Sequence, residues 1–228
     1  MIVDWQALCE HPEVQRLVDL AIEEDVGPGD VTTRAIFAAP QPARARVLAR
    51  AGTVVCGVPL ARALFTRFDA AAALSDVTPE GAAVRSGDTL FVLAADVRAV
   101  LTAERTVLNF LSRLCGVSAA ARAAVSALPP GAKARIYDTR KTTPGWRRLE
   151  KAAARTGGAH NHRFGLHDAV LIKDNHVAKA GGVGEAVRRV RARVGSTMMV
   201  EVEIDRLDQM EEAIAAGADV VLCDNFDD

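Results

Sequence analysis

Aromatic residues are scarce in this chain: one Tyr, two Trp and seven Phe among 228 residues, 4% in all. The core must therefore be aliphatic. Half of the residues are hydrophobic, enough for one large domain or two smaller ones. Paired cysteines are also missing. Cys9, Cys56, Cys115 and Cys223 are scattered and form no CxxC pair, which fits reduced thiols in a cytoplasmic chain better than a disulfide frame. No apolar run reaches the roughly 18 residues that a membrane helix needs. Asp4 and Glu10 break the apolar start, so no N-terminal signal is expected either. Net charge is nearly absent, at -1, which argues against a nucleic-acid or membrane-surface partner.

What charge there is sits unevenly. Between Lys133 and Lys179 there are eleven Lys and Arg against four acids; from Ser196 onward there is one Arg against ten acids. A basic stretch suited to anions thus precedes an acidic one able to hold a cation.

The periodicity changes along the chain. Val14, Leu17, Val18, Ala21 and Ile22 have helical spacing over Pro12–Glu24, stopped by Gly27-Pro28-Gly29-Asp30. Residues 43–49 and 53–56 read as two strands turned at Gly52. Pro59 opens a short helix to Phe68, and a strand pair surrounds Val84 and Leu90–Leu93. Arg98–Cys115 reads as a longer helix with a polar stripe of Thr102, Arg105, Asn109 and Ser112. That stripe is either a solvent face or a way to aim Arg105 into a site. Pro129-Pro130-Gly131 marks a boundary. Beyond it, strands at Ile136-Tyr137, 169–172, 198–202 and 220–222 alternate with helices at 146–156, 184–194 and 207–216. Such βα alternation predicts a parallel sheet, doubly wound or barrel-like.

In either parallel architecture ligands bind where strands end. Those ends carry Asp138-Thr139-Arg140-Lys141, then Lys173-Asp174-Asn175, then Glu201 and Glu203, then Asp224-Asn225. Each charge could instead close a salt bridge between strand ends, but four charged ends in succession favour a ligand. Thr143-Pro144 reads as an N-cap with Pro in the first helical turn, and a helix start beside Arg140 and Lys141 suits phosphate or carboxylate. Arg140 and Arg163 can each grip a carboxylate with two parallel hydrogen bonds, whereas Lys141 and Lys173 act as point charges. His160, His162, His167 and His176 cluster, but without metal-ligand spacing; structural or anion-contacting roles suit them better than zinc. Glu203 and Asp224 suit Mg²⁺ shared with a phosphorylated substrate.

The run Asp138–Gly145, the run Gly157-Gly158-Ala159-His160-Asn161-His162-Arg163-Phe164-Gly165-Leu166 and the run Ile172–His176 together resemble the quinolinate phosphoribosyltransferase family. Glu24–Thr33, Glu104–Leu111, Val200–Glu203 and Leu222–Phe226 extend the resemblance over nearly the whole chain. The resemblance implies an α/β fold: an N-terminal α+β open sandwich with its interdomain helix over 1–115, then an incomplete parallel α/β barrel over 116–228. It implies transfer of phosphoribosyl from phosphoribosyl pyrophosphate to quinolinate with decarboxylation, in NAD biosynthesis. Arg105, Arg140, His162, Arg163 and Lys173 would hold the quinolinate carboxylates, Arg105 reaching in from a neighbouring subunit of a homodimer or higher oligomer. Thr139 and Lys141 would lie in the same pocket. Glu203 and Asp224 would serve the ribose and the Mg²⁺-pyrophosphate side, and Lys141, Glu203 and Asp224 form the catalytic set.

Members of that family continue past the equivalent of Phe226 with a glycine-rich phosphate loop. The 228-residue chain is accordingly expected to bind quinolinate weakly and to turn over poorly or not at all. Two other readings remain: a related phosphoribosyltransferase-like protein of molybdenum-transport operons with another acceptor, and an anion-binding module without turnover.

Overall fold

The computed structural model describes residues 3–224 and 226. Its contacts separate into two compact units, Met1–His162 and Arg163–Asp228.

The first unit opens with three helices, α1 (Trp5–Glu10), α2 (Pro12–Val26) and α3 (Val31–Ile36). The α2 helix follows its predicted periodicity, with Val14 and Val18 buried. The α3 helix directly follows the stop at Gly27-Pro28-Gly29-Asp30, where the sequence reading places no element. Asp30 caps it, its carboxylate accepting from Thr33 N at 2.9 Å, so the Gly-Pro-Gly punctuation ends one helix and launches another. The strands are β1 (Pro42–Leu48), β2 (Thr53–Val54), β3 (Ala73–Ser75), β4 (Ala83–Val84) and β5 (Thr89–Asp96), with α4 (Val58–Phe68) between β2 and β3. They form an antiparallel sheet in the order β1-β5-β3 and a β2-β4 pair. Alternation decides the faces. Arg44 and Arg46 of β1 point to solvent, while Phe91 and Leu93 of β5 are fully buried, each contributing about 1.5–3 kcal/mol by leaving water.

The long helix α5 (Val97–Ser126) runs eleven residues past its predicted end. Gly116 does not stop it, because the following Ala-rich segment favours helix. Its buried stripe, including Ala99, Ala103, Val107, Phe110, Leu111 and Leu114, keeps helical spacing. Helix α6 (Arg147–Thr156) packs on α5 so closely that a Cβ on Gly157 would lie 2.3 Å from Ser118 O. Glycine is needed at 157 for that approach, and at Gly158 for its φ of +106°. The expected strand at Ile136-Tyr137 is not one. It is a single parallel bridge, Tyr137 to His160: His160 N donates to Ile136 O and Asp138 N to His160 O, and Tyr137 itself is exposed.

The second unit is a parallel sheet, β6 (Val170–Ile172), β7 (Val200–Ile204) and β8 (Val220–Cys223), in that order. Its helices are α7 (Asp174–Ala180), α8 (Val183–Arg191) and α9 (Asp208–Ala215). Ile172, Val200, Val202 and Ile204 pack against Val183, Ala186, Val187 and Ala213. Strand β7 starts two residues later than predicted, since Met198 is held in a turn by Gly195 O. The shift places Glu201 and Glu203 inside the strand, both on the face opposite the valines. The fold is thus α/β, as expected, with three strands rather than four in the described part of the parallel sheet.

Candidate functional site

In the first unit the predicted residues fall on α5, on the loop after the Tyr137 bridge and, for His162, on the segment just after the His160 side of that bridge. Arg105 stands on the exposed face of α5 with Asn109 and Ser112. Thr102, read as part of that stripe, instead donates to Asp30 at 3.2 Å. Thr139, Arg140 and Lys141 occupy the loop after the Tyr137 bridge. Thr139 Oγ1 accepts from Lys141 N at 3.0 Å, turning the chain between them. The Nε of Arg140 is buried and has no hydrogen-bond partner among the described residues. A buried donor left open is costly, so a ligand acceptor there would be well rewarded.

Helix α6 holds this loop from beneath. Arg147 donates to Thr142 Oγ1 at 3.0 Å and to Arg140 O at 3.4 Å. Arg113 of α5 donates to Glu150 at 2.5 Å and to Thr143 Oγ1 at 2.7 Å. Burial alone would raise the Glu150 carboxyl, but hydrogen bonds from Arg113 and Thr143 bring it below its ordinary range. Thr143 is therefore not the helix N-cap that was expected. The helix begins at Arg147 without a side-chain cap, because Thr143 is engaged by Arg113 and Gly145 turns the chain with φ +82°.

Asp138, expected to face a ligand, is consumed within the protein. It accepts from Lys151 Nζ at 2.5 Å, Asn161 Nδ2 at 2.6 Å and His162 N at 2.9 Å. Neither Lys151 nor Asn161 was picked out from the sequence. The one available signal was a Lys inside the Ala-rich face of α6. His160 packs on Tyr137 with ring centroids 5.4 Å apart.

In the second unit Arg163 donates to Ala169 O at 3.2 Å. It shares the wall of a cavity of about 350 Å³ with His176, Arg189 and the apolar side of β6. A larger cavity of about 500 Å³ lies in the first unit among Asp30, Thr33, Arg34, Asp96, Arg98 and Thr102, and none of the predicted site residues lines it. Lys173 immediately precedes α7, its backbone N–H donating to His176 Nδ1 at 2.9 Å. Asp174 and Asn175 belong to that helix, which was not foreseen.

Parallel pairing brings Ile204 of β7 against Cys223 of β8, and Asp224 N donates to Ile204 O at 3.0 Å. Asp224 thereby reaches Glu203. The Glu203 carboxyl is pushed up, first by burial and then by the charge of Asp224, with Lys173 pulling the other way. Two carboxylates and one ammonium thus share one electrostatic neighbourhood. Such a pair attracts a divalent cation or a developing positive charge. Among the described residues no group of three His, Cys, Asp or Glu side chains forms a metal centre, so a cation here would rely on substrate oxygens for further ligands. Asn225 lies outside the described residues.

No described helix is long and apolar enough to cross a membrane. The family models described as "Quinolinate phosphoribosyl transferase, N-terminal domain" and "Quinolinate phosphoribosyl transferase, C-terminal domain" match residues 30–115 and 117–228. A probable nicotinate-nucleotide pyrophosphorylase [carboxylating] of Bacillus subtilis is 39% identical over 94% of this chain and 74% of its own length. The human nicotinate-nucleotide pyrophosphorylase [carboxylating] is 39% identical over 92% of this chain and 70% of its own length. The crystal structure of NadC from Streptococcus pyogenes superposes with a TM-score of 0.89 at 39% identity, covering 94% of this chain and 76% of that one.

Proposed function

The chain belongs to the quinolinate phosphoribosyltransferase family, and from that premise we propose that it makes nicotinate mononucleotide from quinolinate and phosphoribosyl pyrophosphate. The pyridine nitrogen attacks the ribose anomeric carbon, and pyrophosphate leaves with the bonding pair. The ring C2–carboxylate bond then breaks, CO2 departs, and C2 takes a proton.

The residues divide this work by charge. Arg105, Arg140, His162, Arg163 and Lys173 recognise the two carboxylates, with Thr139 and Lys141 completing the same recognition set. Lys141, Glu203 and Asp224 act on the reacting atoms. Glu203 and Asp224 offset the positive charge that grows at the anomeric carbon as pyrophosphate departs. The cations and the ribosylated nitrogen offset the electron pair left at C2. The observation that most supports this reading is the buried, unpartnered Nε of Arg140 on a loop whose Thr139 hydroxyl and Arg140 carbonyl are already engaged.

Mg²⁺ fits Glu203 and Asp224, since burial and mutual repulsion hold the Glu203 carboxyl up and a cation would relieve both. When bound it would neutralise charge on pyrophosphate. We place the working boundary at 115/116, inside α5, and expect a cytoplasmic homodimer or higher homo-oligomer.

The test is turnover by this chain with quinolinate, phosphoribosyl pyrophosphate and Mg²⁺. One nicotinate mononucleotide and one CO2 should form per quinolinate. Quinolinate, and not nicotinate, should raise the melting temperature. Binding of quinolinate without any product would select the anion-binding module, and absence of both would overturn the proposal.

A further inference from the structure

Lys151 and Asp138 form an ion pair at 2.5 Å with side chains only 5% and 12% exposed. Asn161 completes the group, donating to Asp138 Oδ2 at 2.6 Å and to Lys151 O at 2.9 Å. The remaining contacts converge on one residue. Asp138 Oδ1 accepts from His162 N at 2.9 Å, and Lys151 Nζ donates to His162 O at 3.1 Å. Both backbone polar groups of His162 are therefore gripped by the two ends of one buried ion pair. The same aspartate directly precedes Thr139-Arg140-Lys141. Its own N–H is tied to His160 O at 2.9 Å. One charge pair thus joins the loop that carries Arg140 to the turn that carries His162.

Stability alone is a weak reason for this arrangement. Burying two charges costs so much solvation that a packed apolar pair often serves a fold as well. What apolar packing cannot do is fix the direction of a backbone amide and carbonyl on an irregular segment. We propose that Lys151, Asp138 and Asn161 are positioning residues that set His162 and the Arg140 loop for the pyridine dicarboxylate. None of the three need touch the substrate. The proposal rests on the quinolinate reading above. It adds that recognition depends on a charge pair one layer behind the contacting side chains.

The informative variant is the double substitution Asp138→Asn with Lys151→Met. It removes both buried charges together, which spares the fold the cost of an orphaned one. Asn at 138 can still accept from the His162 amide, but nothing holds the carbonyl. Measured on the whole chain, the unaltered protein must first bind quinolinate; failure there overturns the function rather than this inference. The double variant should then melt within a few degrees of the parent and bind phosphoribosyl pyrophosphate equally well. Its quinolinate dissociation constant should rise by about 10- to 100-fold, the scale expected when recognition groups are displaced by an ångström. A folded double variant with the parent's quinolinate affinity would overturn the proposal. If it does not fold, Asn161→Ala, which leaves the ion pair intact, decides: weaker quinolinate binding at an unchanged melting temperature supports positioning, and unchanged affinity removes it.

Discussion

In the first unit Asp138 gives both carboxylate oxygens to protein donors, an ammonium, an amide side chain and a backbone N–H. In the second unit Glu203 faces another carboxylate, Asp224, which pushes it up, while Lys173 pulls the other way. Both aspartates were read from the sequence as strand-end acids of the same kind. The folded chain separates them into an acid already neutralised and an acid pair still carrying an electrostatic debt. A charge met by opposite partners builds structure, while one held against a like charge favours a cation.

The largest effect should come from breaking the saturated pair on one side only. Lys151→Ala strands the Asp138 carboxylate in a buried place, and removing one partner of such a pair costs about 3–5 kcal/mol. Urea unfolding should register that loss. The matching change in the other unit, Asp224→Asn, removes repulsion instead and should leave stability within about 0.5 kcal/mol of the parent. Equal losses from both would erase the contrast. Next in size is Arg140→Ala. Its guanidinium can grip a carboxylate with two parallel bonds, and a hydrogen bond to a charged group contributes about 1.5–3 kcal/mol. Quinolinate affinity measured by calorimetry should fall by roughly 100-fold or more. Unchanged affinity would remove Arg140 from carboxylate recognition.

Much of this molecule could be read from periodicity. The helices α2 and α8 follow from spacing, α4 from Pro59 at its start, and β1 from its run up to the Gly52 turn. The misses have two physical sources. Short helices such as α3 and α7 start at residues that look like stops or ligand groups, because Asp30 caps one and Lys173 immediately precedes the other. Partners distant in sequence are the second source. Lys151 is 13 residues from Asp138, and Asn161 is 23 from it; only the tertiary fold shows that these three charges and dipoles cancel one another. Glu203 and Asp224 were legible as a pair because parallel β units repeat their strand ends in register. Their mutual repulsion was not, since it depends on how deeply β7 is buried.

That repulsion sets the smallest and sharpest prediction. Burial and Asp224 raise the folded Glu203 carboxyl above its unfolded value. A group raised in this way supports the fold when protonated, below the unfolded pKa. That support is lost as pH rises through the folded pKa, because the fold then carries a charge it disfavours. Glu203→Gln removes the charge and, because solvent screens this partly exposed site, should stabilise the protein at pH 7 by no more than about 0.5 kcal/mol, a melting rise of about 1–2 °C. The gain should vanish as pH drops below the ordinary glutamate pKa of about 4.3. Adding Mg²⁺ at pH 7 should shrink it too, since a cation neutralising the pair stabilises the parent and has less to hold in the variant. A gain that persisted unchanged at acid pH would show that Glu203 is tuned by packing rather than by charge, and the contrast with Asp138 would rest on burial alone.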